Sequence, residues 1–145
     1  MAALGAIVEF PEDAPPHIRR TVMEDIHEAD ALIIPDPRTA DHTSRVLGYL
    51  KHFKKHTPER LQKEYGYLDG HLYCMGPAEL TALAIGYEKY SYALYENPEL
   101  VHLLAKKITS FIKEYLVAQM EVVGPCKRLI MVDHLAGMIS PQTYL

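Results

Sequence analysis

The 145-residue sequence has no apolar run approaching the about 18–20 residues that a membrane-spanning helix needs, so no membrane segment is expected. Its opening, Met1-Ala2-Ala3-Leu4-Gly5, lacks the basic stretch and long apolar core of a secretory signal. Cysteine is scarce. Cys74 and Cys126 form neither a CxxC nor a paired zinc spacing, which excludes a disulfide scaffold and points to a reducing cytoplasm. Basic charge is in the minority, with 15 Lys and Arg against 19 Asp and Glu, and a net charge of −4 argues against general nucleic-acid affinity. There is no internal repeat, no low-complexity tract and no Pro/Gly/Ser linker to divide the chain. What remains is 48% apolar and 23% charged residues, the balance of a folded domain with a sizeable core.

The order of elements reads as α/β. Gly5–Phe10 is short, apolar and partly β-branched, which predicts a strand or an extended lead-in. Pro11 to Pro16 forces a turn. Ile18, Val22, Met23 and Ile26 recur at helical spacing and predict a helix over 17–30, and Ala31–Ile34 reads as a short buried strand ending at Pro35. A helix starting near Asp41 or Thr43 carries Val46, Leu47, Leu50 and Phe53 on one face, with Lys51, Lys54 and Lys55 toward its C-terminus. Thr57-Pro58-Glu59 opens another helix that ends near Tyr65-Gly66.

His71–Met75 is a compact strand between Gly70 and Gly76, and Ala78–Tyr95 reads as helix with Gly86 as its weak point. Asn97 as cap and Pro98 as first residue begin a long helix whose Leu100, Leu104, Ile108, Phe111, Ile112, Tyr115 and Leu116 share one face. Gly124-Pro125 stops it. Arg128–Val132 is a buried strand followed by Asp133-His134, and Ser140-Pro141 starts a further helix. Strands separated by helices predict parallel pairing.

Polar groups after such strands are the candidate site. Active sites of barrels and open α/β sheets lie at the C-terminal strand ends. Asp133 and His134 stand there and could move a proton or hold a polar substrate. Gly76, Pro77 and Glu79 join the other strand to its helix, where backbone N–H groups can meet an anion, although Glu79 would repel one. His71 and Cys74 fall on opposite faces of a strand and are poor co-ligands, and His52 and His56 share a helix face with lysines that oppose a cation. The tyrosines Tyr87, Tyr90, Tyr92 and Tyr95 read as packing or a partner surface.

Three segments resemble the uroporphyrinogen decarboxylase superfamily. Gly76-Pro77-Ala-Glu-Leu-Thr-Ala-Leu-Ala-Ile-Gly86 is similar to its strand-to-helix Gly-Pro segment. Tyr95-Glu-Asn-Pro-Glu-Leu-Val-His-Leu-Leu104, continuing to Tyr115, is similar to its Asn-Pro-Glu helix. Met131-Val-Asp-His-Leu-Ala-Gly-Met-Ile-Ser-Pro141 is similar to its strand-end Ala-Gly and Ser-Pro loop. The resemblance implies a (β/α)8 barrel, a fold of about 250 residues. It covers nearly all of this chain and the middle of the family's length, so residues 1–145 are expected to form one domain incomplete at both ends, a partial TIM-barrel fragment with parallel strands. The family's catalytic aspartate and arginine segment precede the matched region, and its histidine or His-x-Cys and later Cys follow it, so no catalytic residue is assigned.

Two branches of that superfamily differ. The decarboxylases shed acetate carboxylates from a tetrapyrrole without a cofactor; the methyltransferases move methyl groups between corrinoid proteins and thiols with zinc. A decarboxylase substrate-site tyrosine falls on Leu83 and a substrate-site serine on His134, and both departures weigh against the decarboxylase branch, while Asp133, His134 and the Gly-Met-Ile-Ser-Pro run after them look more like the methyltransferase-like branch. For the parent enzyme the resemblance therefore implies zinc and a corrinoid-protein or small-molecule substrate, with no cofactor held by this fragment. For the chain alone, inactivity and self-association through open strand edges are expected. The substrate-binding candidates are Asp133, His134, Gly76, Pro77 and Glu79.

Overall fold

A computed structural model describes residues 1–65 and 68–135. The helix expected near Ser140, and the Gly-Met-Ile-Ser-Pro run before it, lie outside the described residues. The architecture is mixed α/β with a parallel strand pair, as the sequence pattern and the family resemblance predict for part of a β/α barrel.

After a 3-10 turn at Ala2–Leu4, strand β1 (Ile7–Glu9) pairs antiparallel with β2 (His17–Arg20), with Val8 opposite Ile18 and Glu9 opposite His17. Here the structure departs from the helix expected over 17–30. Pro15-Pro16 delivers the chain in extended form, and Glu9 reaches across the pair to Arg19 (2.8 Å) and to His17 Nε2 (3.3 Å). The helical turn starts later, as a 3-10 segment over Ile26–Ala31. Its capping box is reciprocal: Asp25 accepts from the His27 backbone and Glu28 accepts from the Asp25 backbone. The buried strand expected over 31–34 is also absent. Ile33 is 86% exposed, and Lys107 takes the carbonyls of Asp30 and Leu32, leaving the segment tied to a helix instead of a sheet.

Helix α1 (Asp41–His56) and the short α2 (Glu59–Tyr65) follow. Strand β3 (His71–Met75) leads into α3 (Pro77–Ile85), α4 (Tyr87–Glu96), α5 (Pro98–Val123) and strand β4 (Arg128–Val132). The single helix expected over 78–95 is split because Gly86 takes φ +90°, a conformation open to glycine and closed to most other residues. Pro98 opens α5 as predicted, although the Asn97 side chain makes no cap bond.

The core forms around α5. Val101, Leu104, Ile108, Phe111 and Ile112 are buried against Ile85, Tyr90 and Ala93 of α3 and α4, and against Met23, Ile26 and Ala29. Leu72 and Cys74 are the buried residues of β3, and their alternation with Tyr73 gives that strand one covered face. β4 differs from expectation. Its pairing with β3 is parallel and in register from His71–Arg128 to Met75–Val132, yet Leu129, Ile130 and Met131 are all more than 40% exposed. Apolar residues on both faces suit a strand covered on both sides, and no helix among the described residues lies over it.

Candidate functional site

Parallel pairing brings the ends of β3 and β4 to the same level. The Gly76 amide donates to the Val132 carbonyl at 2.6 Å, so the turn into α3 sits beside the turn that carries Asp133 and His134. All five sequence-predicted site residues therefore meet at one strand-end cluster.

Gly76 is there for proximity. Its φ of −68° is ordinary, but a Cβ built on it would stand 2.7 Å from the Asp133 Cβ and 2.8 Å from its Cγ. The Asp133 carboxyl thus lies against the start of α3. Pro77 opens that helix, where its missing N–H costs nothing. Negative charge from Asp133 and from Glu79 in the first turn suits the positive end of the helix dipole and leaves it little attraction for a further anion.

Glu79 is the organiser. It is 3% exposed, and both oxygens are used: Oε2 accepts the His134 backbone N–H at 2.9 Å, and Oε1 accepts the Tyr87 hydroxyl. A buried carboxylate is costly unless hydrogen bonds replace its water, and these two bonds do so. They tie the first turn of α3 to the loop after β4 and to the start of α4. Asp133 closes the loop on itself, accepting from the Leu135 amide at 3.3 Å, and Leu135 then turns into the core at 1% exposure. The His134 backbone is held while its imidazole stays 70% exposed, with Nδ1 3.8 Å from Glu79. Held carboxylates and an exposed imidazole at a strand end can orient a polar substrate and exchange a proton with it.

Tyr87, which the sequence reading assigned to packing or a partner surface, belongs to this cluster. Spacing carried no signal for it: eight residues along an unbroken helix lie about 12 Å apart, and the Tyr87 hydroxyl reaches Glu79 because the chain breaks at Gly86 between α3 and α4. Burial first, and then the bond to Glu79, push its phenol up to about 12 from an ordinary 10.0. Burial also raises Tyr90, Tyr115 and Cys74. The sign follows. The neutral phenol is favoured in the folded chain, so this stabilisation is complete below pH 10 and is lost as pH rises toward 12. Denaturant unfolding at stepped pH is expected to show stability falling across that window, and less steeply in Tyr87→Phe.

Among the described residues, no three His, Cys, Asp or Glu side chains gather where they could hold a metal ion. Asp133 and His134 are two donors where a zinc site needs three or four, so they do not fit one by themselves. His52 and His56 lie with ring centroids 4.2 Å apart and planes tilted by 32°, both exposed on α1. Among the described residues no helix is long and apolar enough to cross a membrane.

Parallel strands joined through helices, with polar side chains gathered beyond the strand ends, define a β/α unit of the barrel type. The family model for uroporphyrinogen decarboxylase (URO-D) matches residues 1–145, and the chain belongs to that family. Comparison with curated proteins and with solved structures finds no match.

Proposed function

We propose that this chain is part of a family enzyme that moves methyl groups between a corrinoid protein and a thiol. In this reading Asp133 and His134, with Gly76, Pro77 and Glu79, form one wall of the substrate pocket. The observation that carries it is His134: a basic, exposed side chain whose backbone is anchored by buried Glu79, at the place where the resemblance puts a decarboxylase serine. Leu83 supports the same branch, since an apolar side chain on α3 stands where that activity uses a tyrosine. Zinc would have to come from donors other than the described residues. The free thiols of Cys74 and Cys126 suit a cytoplasmic setting.

The chain by itself is proposed to be inactive, because two adjacent strand ends supply one wall and catalysis needs groups held from several sides. A second reading, decarboxylation of a tetrapyrrole, is favoured by the description of the matching family model. The reading frame around this segment is the first test: a downstream His-x-Cys and later Cys support the zinc-dependent methyltransferase, and their absence overturns it. The second uses the longest protein of that frame beside the chain alone. The longer protein is expected to transfer methyl from a corrinoid to a thiol and to leave uroporphyrinogen intact by chromatography. Loss of carboxylates from uroporphyrinogen establishes the second reading instead, and turnover by the chain alone overturns its proposed inactivity.

A further inference from the structure

Buried Glu79 is held from two sides, by the Tyr87 hydroxyl on Oε1 and by the His134 backbone N–H on Oε2 at 2.9 Å. The same Oε2 lies 3.8 Å from His134 Nδ1. His134 thus sets both its backbone and its ring against a single carboxylate oxygen. Among the described residues no other carboxylate comes within 4.0 Å of that ring. Asp133, next to it in sequence, is occupied elsewhere: Oδ1 accepts the Leu135 amide, and its carboxyl lies against Gly76. Glu79 cannot approach the ring, because both of its oxygens are tied. The ring can approach Glu79, since the imidazole is 70% exposed and turns about χ1 and χ2. A turn that closes about 1 Å brings Nδ1 within hydrogen-bond reach.

We propose that Glu79 takes the Nδ1–H of His134, so that Nε2 turns its lone pair to the pocket and accepts the proton of a substrate thiol. Which ring nitrogen carries the proton is set by the hydrogen bond that the other makes. A free imidazole carries it more often on Nε2, and a fixed carboxylate at Nδ1 reverses the choice. Nε2 lies across the ring from Nδ1. It therefore points away from buried Glu79, toward the strand-end side where β/α barrels keep the mouth of their pocket. In the step, the S–H bond breaks and the Nε2–H bond forms. The electron pair stays on sulfur, and the imidazolium is left beside the Glu79 carboxylate. A thiol suits this base because it lies far nearer to imidazole in acidity than an alcohol does. It also arrives neutral, whereas Glu79 and Asp133 oppose an anion. His134 is the base, Glu79 its positioning residue, and Tyr87 holds Glu79 in place. The thiol rests on the function proposed above; the tautomer belongs to the chain itself and is measurable whichever reaction the longer protein performs.

The test is long-range nitrogen–proton NMR of the imidazoles in the intact chain at about pH 8, where a histidine is neutral and its tautomer is readable. The His134 signal is assigned by its absence from His134→Asn. The Nδ1–H form is expected in the parent, in Tyr87→Phe and in Asp133→Asn. The Nε2–H form is expected in Glu79→Met, which fills the same space without an acceptor. Nε2–H in the parent overturns the proposal without recourse to any variant. So does Nδ1–H that survives in Glu79→Met, or that is lost in Asp133→Asn. The base role is read in the longer protein. There His134→Asn is expected to slow methyl transfer to a thiol about a hundredfold near neutral pH. The loss is expected to shrink as pH passes the thiol's own value of about 8.5, because a preformed thiolate needs no base. Among the described residues, the other titratable groups around His134 are Glu79, Asp133, Tyr87 and Tyr90, and both phenols are raised, so they stay neutral across that range. A loss that is equal at every pH overturns the base role. An Nδ1–H tautomer in a longer protein that methylates no thiol overturns the thiol and the function it rests on, while the pairing of Glu79 with His134 is upheld.

Discussion

Replacing Glu79 by alanine is expected to destabilise the chain by about 1–3 kcal/mol and to release the loop after β4. Hydrogen bonds to a charged acceptor contribute about 1.5–3 kcal/mol each, and Glu79 accepts two, from Tyr87 and from the His134 backbone. The loss stays below their sum for two reasons. Removing the carboxylate also removes the cost of burying it at 3% exposure, and the freed donors stand near enough to the surface to regain water. Glu79→Gln separates shape from charge. Its carbonyl can still accept one of the two bonds, but its amide then faces a donor, so an intermediate loss is expected. Equilibrium unfolding of the three proteins at neutral pH gives the comparison, and equal stability of all three removes Glu79 from the role assigned to it.

Gly76→Ala is expected to cost a similar amount, about 1–3 kcal/mol, by a different route. No backbone strain is involved, since φ there is −68°. The new methyl would sit 2.7 Å from the Asp133 Cβ, an atom fixed close to the β4 backbone that cannot swing away as a carboxyl tip can. The strand end must move, which separates Asp133 from the start of α3. A lower thermal midpoint is expected together with a changed environment for the Asp133 and His134 resonances. Tolerance without either change would show that the close approach at the strand ends is not needed.

The second half of the chain was legible because its signals are local and agree with one another. Pro77 and Pro98 open helices, Gly124 closes one, and β3 and β4 are short apolar runs bounded by turn residues. The gathering of Asp133, His134, Gly76, Pro77 and Glu79 followed from parallel order alone, since it sets strand ends side by side. The first half misled because Ile18, Val22, Met23 and Ile26 are spaced like a helix face, while the pairing of His17 and Arg19 with Glu9 is set across the chain. The capping box at Asp25 and Glu28 was the local sign of the true helical start. Burial of β4 could not be read from its residues. An apolar run reports what a strand can tolerate on each face, and its actual cover depends on what packs there. Gln119 against β3 is a tertiary contact between a helix and a strand edge, with no counterpart in spacing.

Amide hydrogen exchange at His134 tests most directly whether buried Glu79 holds the strand-end site in place. This N–H lies in a loop with an exposed side chain, and its partner is the carboxylate 2.9 Å away. Slow exchange is expected in the parent chain, rising to the rate of an unprotected amide in Glu79→Ala. An amide at His134 that already exchanges as if unprotected in the parent chain contradicts the arrangement, and with it the assignment of Asp133 and His134 to a preformed site.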